Sequence, residues 1–157
     1  INNSAFDFPN EFTMEAWIFP TGFVTDGYGG ESFSIFSRWL HGIRTLYLVQ
    51  INNGKLNFYT DFAGMISLQS QSDIPLNQWT HIAVTRDLNN VLRIFVNGNL
   101  EGEKVITQNF SSEEFPMTVG ASSNNLRMSK GFIGEWHTCK KCLWISNFTP
   151  KFERKEF

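Results

Sequence analysis

His137-Thr138-Cys139-Lys140-Lys141-Cys142 is the stretch with the spacing closest to a metal or redox centre. A structural zinc ion needs four ligands; this segment offers three at most, and the chain holds no other cysteine. A redox pair needs its C-x-x-C at a helix N-terminus, where the dipole lowers the thiol pKa. Here the flanking residues read as strands, so two thiols or a local disulfide in a turn are expected. Glu101-Gly102-Glu103 puts two carboxylates on one strand face. It is the nearest approach to the pair that retaining glycoside hydrolysis holds about 5 Å apart, and it reads as a solvated edge strand. Glu113-Glu114 reads as a solvated loop. The three histidines are His41, His81 and His137, and no Gly-x-Ser-x-Gly elbow accompanies them. His81 reads as structural, bonding across a sheet. These residues predict a chain that is not an enzyme.

The elements that must position any site are strands. Trp79 to Leu100 organises the rest as two strands and two turns. Trp79 and Ala83 fall on one face and Ile82 and Val84 on the other, which predicts a strand covered on both sides with Trp79 in the core. Asp87-Leu88-Asn89-Asn90 is a turn, because Asn and Asp tolerate left-handed backbone. Asn97-Gly98 and Asn52-Asn53-Gly54 are hairpin turns. Further strands are expected at 12–20, 32–39, 45–51, 55–60 and 65–71. An edge strand at 101–107, and strands at 115–121, 132–135 and 143–150, complete the count. Helical periodicity is absent over any 12 residues. Short strands at eight- to twelve-residue spacing predict an all-β, two-sheet antiparallel β-sandwich.

Composition narrows the partners. The chain has 157 residues, 16 Phe and 5 Trp, enough for one domain (residues 1–157) that buries roughly 70% of its unfolded surface. A net charge of −2 with 18% charged residues predicts no nucleic-acid partner. No apolar run approaches the 18 or so residues of a spanning helix, so no membrane insertion is expected. The chain opens on Ile1, which predicts a piece of a longer protein. Sequons at Asn2, Asn109 and Asn147 favour an extracellular location.

Four segments, in order, resemble the laminin-G-like and pentraxin-like domains of the concanavalin A-like superfamily. They are FTMEAWIFP at 12–20, SFSIFSRW at 32–39, W-x-H-x-A-V through V-N-G at 79–98, and FIGE at 132–135. The resemblance implies a jelly roll. It also makes calcium a compatible ion, although the carboxylate that laminin-G modules supply before the fourth strand has no counterpart in Gly42-Ile43-Arg44-Thr45. The NFTP at 147–150 resembles the closing segment of phage-borne members.

Successive connections of an antiparallel sandwich alternate between its ends. One end should collect residues 21–31, 53–54, 72–78, 97–99 and 121–131; the other should collect 40–44, 61–64, 87–90 and 107–114. The first end carries the two long loops and is the expected recognition rim. It offers Asp26, Tyr28, Glu31, Asn124, Asn125 and Arg127 as ligand-binding candidates, with Asp26 or Glu31 for any calcium. Trp39, His41, Arg44, Asp61, Asp87 and Asn89 make the alternative rim. The expected function is a non-catalytic module that binds carbohydrate or a cell-surface protein. It would serve a larger secreted, cell-surface or virion-exterior protein, alongside that protein's other domains or subunits. The alternative is a structural or decoration domain of a phage tail, fibre or capsid surface; a glycan-cleaving enzyme is the third class.

Overall fold

The computed structural model describes residues 7–8, 10–25, 30–40, 44–61, 64–110, 116–121 and 129–140. They form strands β1 (Phe12–Gly22), β2 (Val24–Thr25), β3 (Glu31–Leu40), β4 (Arg44–Asn52), β5 (Lys55–Thr60), β6 (Ile66–Asp73), β7 (Thr80–Arg86), β8 (Val91–Val96), β9 (Asn99–Val105), β10 (Thr118–Val119) and β11 (Lys130–Cys139). All named pairings are antiparallel. One sheet runs β11-β1-β7-β8-β9. The other runs β10-β3-β4-β5-β6, with β2 on the same edge of β3. The all-β sandwich expected from strand spacing is therefore the fold.

The turns follow the local chemistry. Asn53-Gly54 and Asn97-Gly98 both take positive φ at both residues, the geometry that twists two strands into a tight hairpin. Asp87 shapes the β7–β8 turn by accepting the amides of Asn89 and Val91 at 2.9 and 3.0 Å. Every residue of β7 is buried, as expected of a strand covered on both sides.

Between the sheets, Met14, Ala16, Ile18, Ile82, Val84, Leu92 and Ile94 meet Phe33, Phe36, Val49, Ile51, Leu56 and Phe58. One end of the core is plugged by rings. Phe12 packs on Phe8 at 5.1 Å and on Phe110 at 6.0 Å, and Phe58 meets Phe110 edge-on at 5.5 Å. Phe8 reaches this place by a bridge to Phe110. The residue before it, Asp7, pairs with the buried Arg38 guanidinium at 2.6 Å.

Four expectations are corrected. Trp79 is not core: it precedes β7 and is 39% exposed, because its face of the sheet is the outer one. Glu101 and Glu103 do not share one strand face, as their spacing alone predicts. A bulge in β9 leaves Glu101 unpaired opposite the Ile94–Phe95 step of β8 and breaks the alternation. Glu103 then meets Arg93 at 3.1 Å. Glu101 reaches the other sheet, taking the amides of Gln71 and Ser72 at 3.0 and 2.8 Å and the Ser72 hydroxyl at 2.9 Å. The segment 115–121 narrows to two ladder residues, Thr118 and Val119, opposite Ser37 and Phe36. Conversely, β11 runs on through His137 to Cys139 as a regular partner of β1, so the first cysteine sits at a strand end. Cys142 and the expected strand at 143–150 lie outside the described residues.

Two outcomes are expected. Asp7→Ala leaves Arg38 buried without its carboxylate and should cost about 3 kcal/mol, read by denaturant unfolding. Glu101→Gln leaves one acceptor oxygen for three donors and should cost about 1 kcal/mol, the low end of the range because the group faces solvent. A variant as stable as the parent would show that this carboxylate does not hold β6 to β9.

Candidate functional site

The described parts of the loops gather at the two ends as alternation demands. At the first end, Asn77 N–H donates to Pro20 O, Asn53 N–H to Glu31 O and Ile74 N–H to Gly54 O. Gly22 pairs with Lys130, and the Thr21 hydroxyl donates to Lys130 O at 3.0 Å. The feet of the two long connections, 23–30 and 121–129, thus stand on neighbouring strands. The second connection starts lower than expected. Gly120 N–H donates to Ile35 O, halfway along β3, and Ser129 closes back onto Gly120 O at 2.8 Å, so this loop springs from the flank as well as the rim. Of the six candidates, Glu31 opens β3 with an exposed side chain, and its main chain is tied to Asn53 in both directions. Asp26, Tyr28, Asn124, Asn125 and Arg127 lie outside the described residues.

The opposite end offers less. Asp61 takes the Thr45 amide at 2.5 Å, Asp87 is spent on its turn and on Arg93 at 2.7 Å, and Trp39 is buried. Of the other residues expected there, Asn89 is exposed at the turn, His41 lies outside the described residues, and so does the side chain of Arg44.

A third surface carries chemistry that the sequence reading passed over. In β1, Met14, Ala16 and Ile18 point into the core, so Thr13, Glu15, Trp17 and Phe19 point out. Register sets His81 of β7 opposite Trp17, and His137 and Phe132 of β11 opposite Glu15 and Phe19. Phe19 packs on Trp79 at 5.5 Å and on Phe132 at 6.1 Å, and Trp17 packs on His81 at 5.2 Å. Trp79 lies across β1. A Cβ on Gly134 of β11 would stand 3.2 Å from its indole ring and 3.6 Å from Trp17, so the glycine of the FIGE segment clears the space for that ring. The result is a row of aromatic side chains crossing three strands just below the first rim.

Residues 1–143 match the Laminin_G_3 family of the concanavalin A-like lectin/glucanases superfamily. The chain belongs to that family. No curated protein matches it in sequence. Among solved structures it is similar to a candidate carbohydrate binding protein from Bacteroides ovatus ATCC 8483 (TM-score 0.72, 18% identity). It is also similar to domain 4 of AbnA, an extracellular GH43 arabinanase of Geobacillus stearothermophilus held with arabinotriose (0.71, 18%). A third is the CBM40 domain of the Ruminococcus gnavus IT-sialidase bound to α2,3-sialyllactose (0.66, 15%). These alignments cover 92%, 87% and 87% of the chain and 41%, 64% and 79% of the three structures. The chain therefore spans about two fifths of the Bacteroides protein. At such identities the likeness is one of fold.

In this Laminin_G_3 domain the outer face also holds a charge. Glu15 is buried, 3.5 Å from His81 Nε2 and 3.5 Å from His137 Nδ1. The hydrogen bond from His81 holds its carboxyl below the ordinary value of 4.5; burial pulls the other way without prevailing, and His137 adds to the lowering. Between Glu15, Trp17, His81, Glu135 and His137 a notch has room for about one water molecule. Among the described residues no cluster of His, Cys, Asp and Glu has the geometry to hold a metal ion.

A carboxyl depressed in the folded state contributes stability that is present above its unfolded pKa, near 4.5, and is lost as pH falls through the folded value. The parent should therefore lose stability below about pH 4.5 faster than Glu15→Gln, while the variant is the less stable of the two at pH 7. Urea titrations between pH 3 and 7 check this; parallel curves would mean that Glu15 titrates alike in both states.

Proposed function

We propose that this domain is a non-catalytic recognition module that binds glycan on behalf of a larger extracellular, cell-surface or virion-surface protein. The observation that carries the reading is the Gly22–Lys130 pairing, which sets the feet of the two longest loops side by side on one rim. Long loops anchored at adjacent strand ends of a rigid sandwich are where recognition residues usually sit. Asp26, Tyr28, Glu31, Asn124, Asn125 and Arg127 supply an aromatic ring for the apolar face of a sugar, and acceptors and donors for its hydroxyls. Arg127 adds a fork of N–H donors for the same hydroxyls. If calcium takes part, Asp26 or Glu31 would be its carboxylate ligand, with amide or main-chain oxygens completing the set. The glycans named with AbnA domain 4 and with the sialidase CBM40 support the ligand class. The structural employment of Glu101 and Glu103 supports a role without hydrolysis.

The test is a glycan array, run once with calcium and once with chelator. Tyr28→Ala and Asn124→Ala are compared with Asn89→Ala on the opposite rim. Loss of at least tenfold in the first two variants alone is expected. Loss in Asn89→Ala alone would move the site to the other end. An array with no bound glycan would favour a decoration domain without a small ligand.

A further inference from the structure

We propose that the outer-face row Trp79–Phe19–Phe132 is a stacking platform for an uncharged oligosaccharide, and that it continues the rim site down the sheet. This inference rests on the glycan reading above and adds the ligand's charge and its minimum length. Three observations carry it.

The first is exposure. Phe132 is 62% and Trp79 39% solvent-exposed, and their rings touch the same Phe19, at 6.1 and 5.5 Å. Large apolar rings gathered on a sheet face and left in water mark a surface that meets a partner. Aromatic rings suit a flat apolar face particularly well, because they give contact area at little cost in side-chain entropy.

The second is the edging. The strip is bordered by the notch of Glu15, Glu135, His81 and His137 on one side. On the other stand Thr21 and Lys130, at the foot of the rim loops. A saccharide has an apolar ring face and hydroxyls around its edge, so it needs stacking beneath and polar groups alongside. A protein partner would need a far wider apolar patch than three rings.

The third is charge. Among the described residues, the ionisable groups that border the strip are the carboxylates of Glu15 and Glu135 and the imidazoles of His81 and His137 in the notch, with Lys130 at the rim end. Beside the notch, carboxylates outnumber fixed cations, so an anionic sugar is disfavoured there. Length follows from position. Phe132 pairs with Phe19 two residues below the Gly22–Lys130 step, so a ligand held by the rim loops needs at least a second sugar unit to reach the rings.

The experiment is tryptophan-fluorescence titration of the whole chain with arabinotriose, cellotriose and lactose as neutral probes and sialyllactose as the anionic one. The variants are Phe132→Ala, Trp79→Phe, Tyr28→Ala and Asn124→Ala, each checked by its Tm. Phe132→Ala is the safer platform variant, because that ring is mostly in water; its Tm should stay within about 2 °C of the parent. Binding of a neutral trisaccharide that weakens at least tenfold in Phe132→Ala, with Tm unmoved, supports the platform. If Tyr28→Ala and Asn124→Ala weaken the same probe, one continuous site is supported. If they do not, the stacking platform stands alone, and its continuity with the rim and the rim reading both fall. Binding lost in the rim variants but kept in Phe132→Ala and Trp79→Phe overturns the platform and leaves the rim. Binding of sialyllactose alone, or of none of the four probes, overturns the platform.

Discussion

A carboxylate withdrawn from water must find donors or cations close by, and Glu15 has to find them within its own sheet. It sits on β1, between β7 and β11, and draws one imidazole from each. That requirement fixes more than one pair. It sets the register on both sides of β1, because a slip of one residue would turn Glu15 into the core and Met14 or Ala16 out of it. It brings His137, and with it the whole of β11, onto the outer face that also carries Trp17 and Phe19. The aromatic row and the notch beside it exist because β1 is held in this one register.

The two ends of the sandwich have different tasks. At the end built by Phe8, Phe12, Phe58 and Phe110, the chain closes the core with rings. It covers them with two arginines, Arg38 on Asp7 and Arg86 over Phe110 at 5.6 Å. Its polar groups are consumed by the structure: Asp61 ties the end of β5 to Thr45 of β4, Asp87 holds the β7–β8 turn, and Arg86 donates to Gln108 O at 2.6 Å. The other end closes its hairpins with Asn-Gly turns and sets the feet of the two long connections side by side. This division of labour follows from burial. An end sealed by apolar rings can spare few polar groups for a ligand, and a rim above short hairpins has no core to seal.

Much of the sheet could be read from residue types. β5 spans the six residues that its alternation marks out, both Asn-Gly turns fall where their positive φ demands them, and β7 is covered on both faces as its composition requires. The failures have separate causes. Trp79 continues the alternation of β7, so pattern alone placed it in the core. Which face of an edge-proximal ring meets water depends on what the neighbouring strands bring over it, and that is a tertiary fact. The bulge beside Glu101 leaves no mark in the local sequence, yet it separates the two carboxylates that spacing had set side by side. The aromatic row did leave a signal: Trp17 and Phe19 alternate with Ala16 and Ile18, so one face of that strand carries large rings opposite an aliphatic core face. Missing was the partner. Phe132 lies more than a hundred residues downstream, and only the β1–β11 register shows that it stands beside Phe19. Of the rim candidates only Glu31 is among the described residues, so the rim reading still rests on loop length and register.

The pairing of β1 with β11 also has a consequence in time. Thr13 meets Cys139 and Gly22 meets Lys130, so the first long strand waits for almost the last described one. Closing so long a loop is entropically slow, and non-local antiparallel pairing of this kind belongs to the slower class of folding reactions. During synthesis the β7–β8 hairpin and the β3–β6 meander have their partners at hand early. The outer edge of β1 stays open until the chain has emerged beyond residue 139. An open strand edge bordered by Trp17 and Phe19 is a template for the wrong neighbour. In a cell, the interval before β11 arrives is therefore the stage at which this domain most needs protection from its own copies.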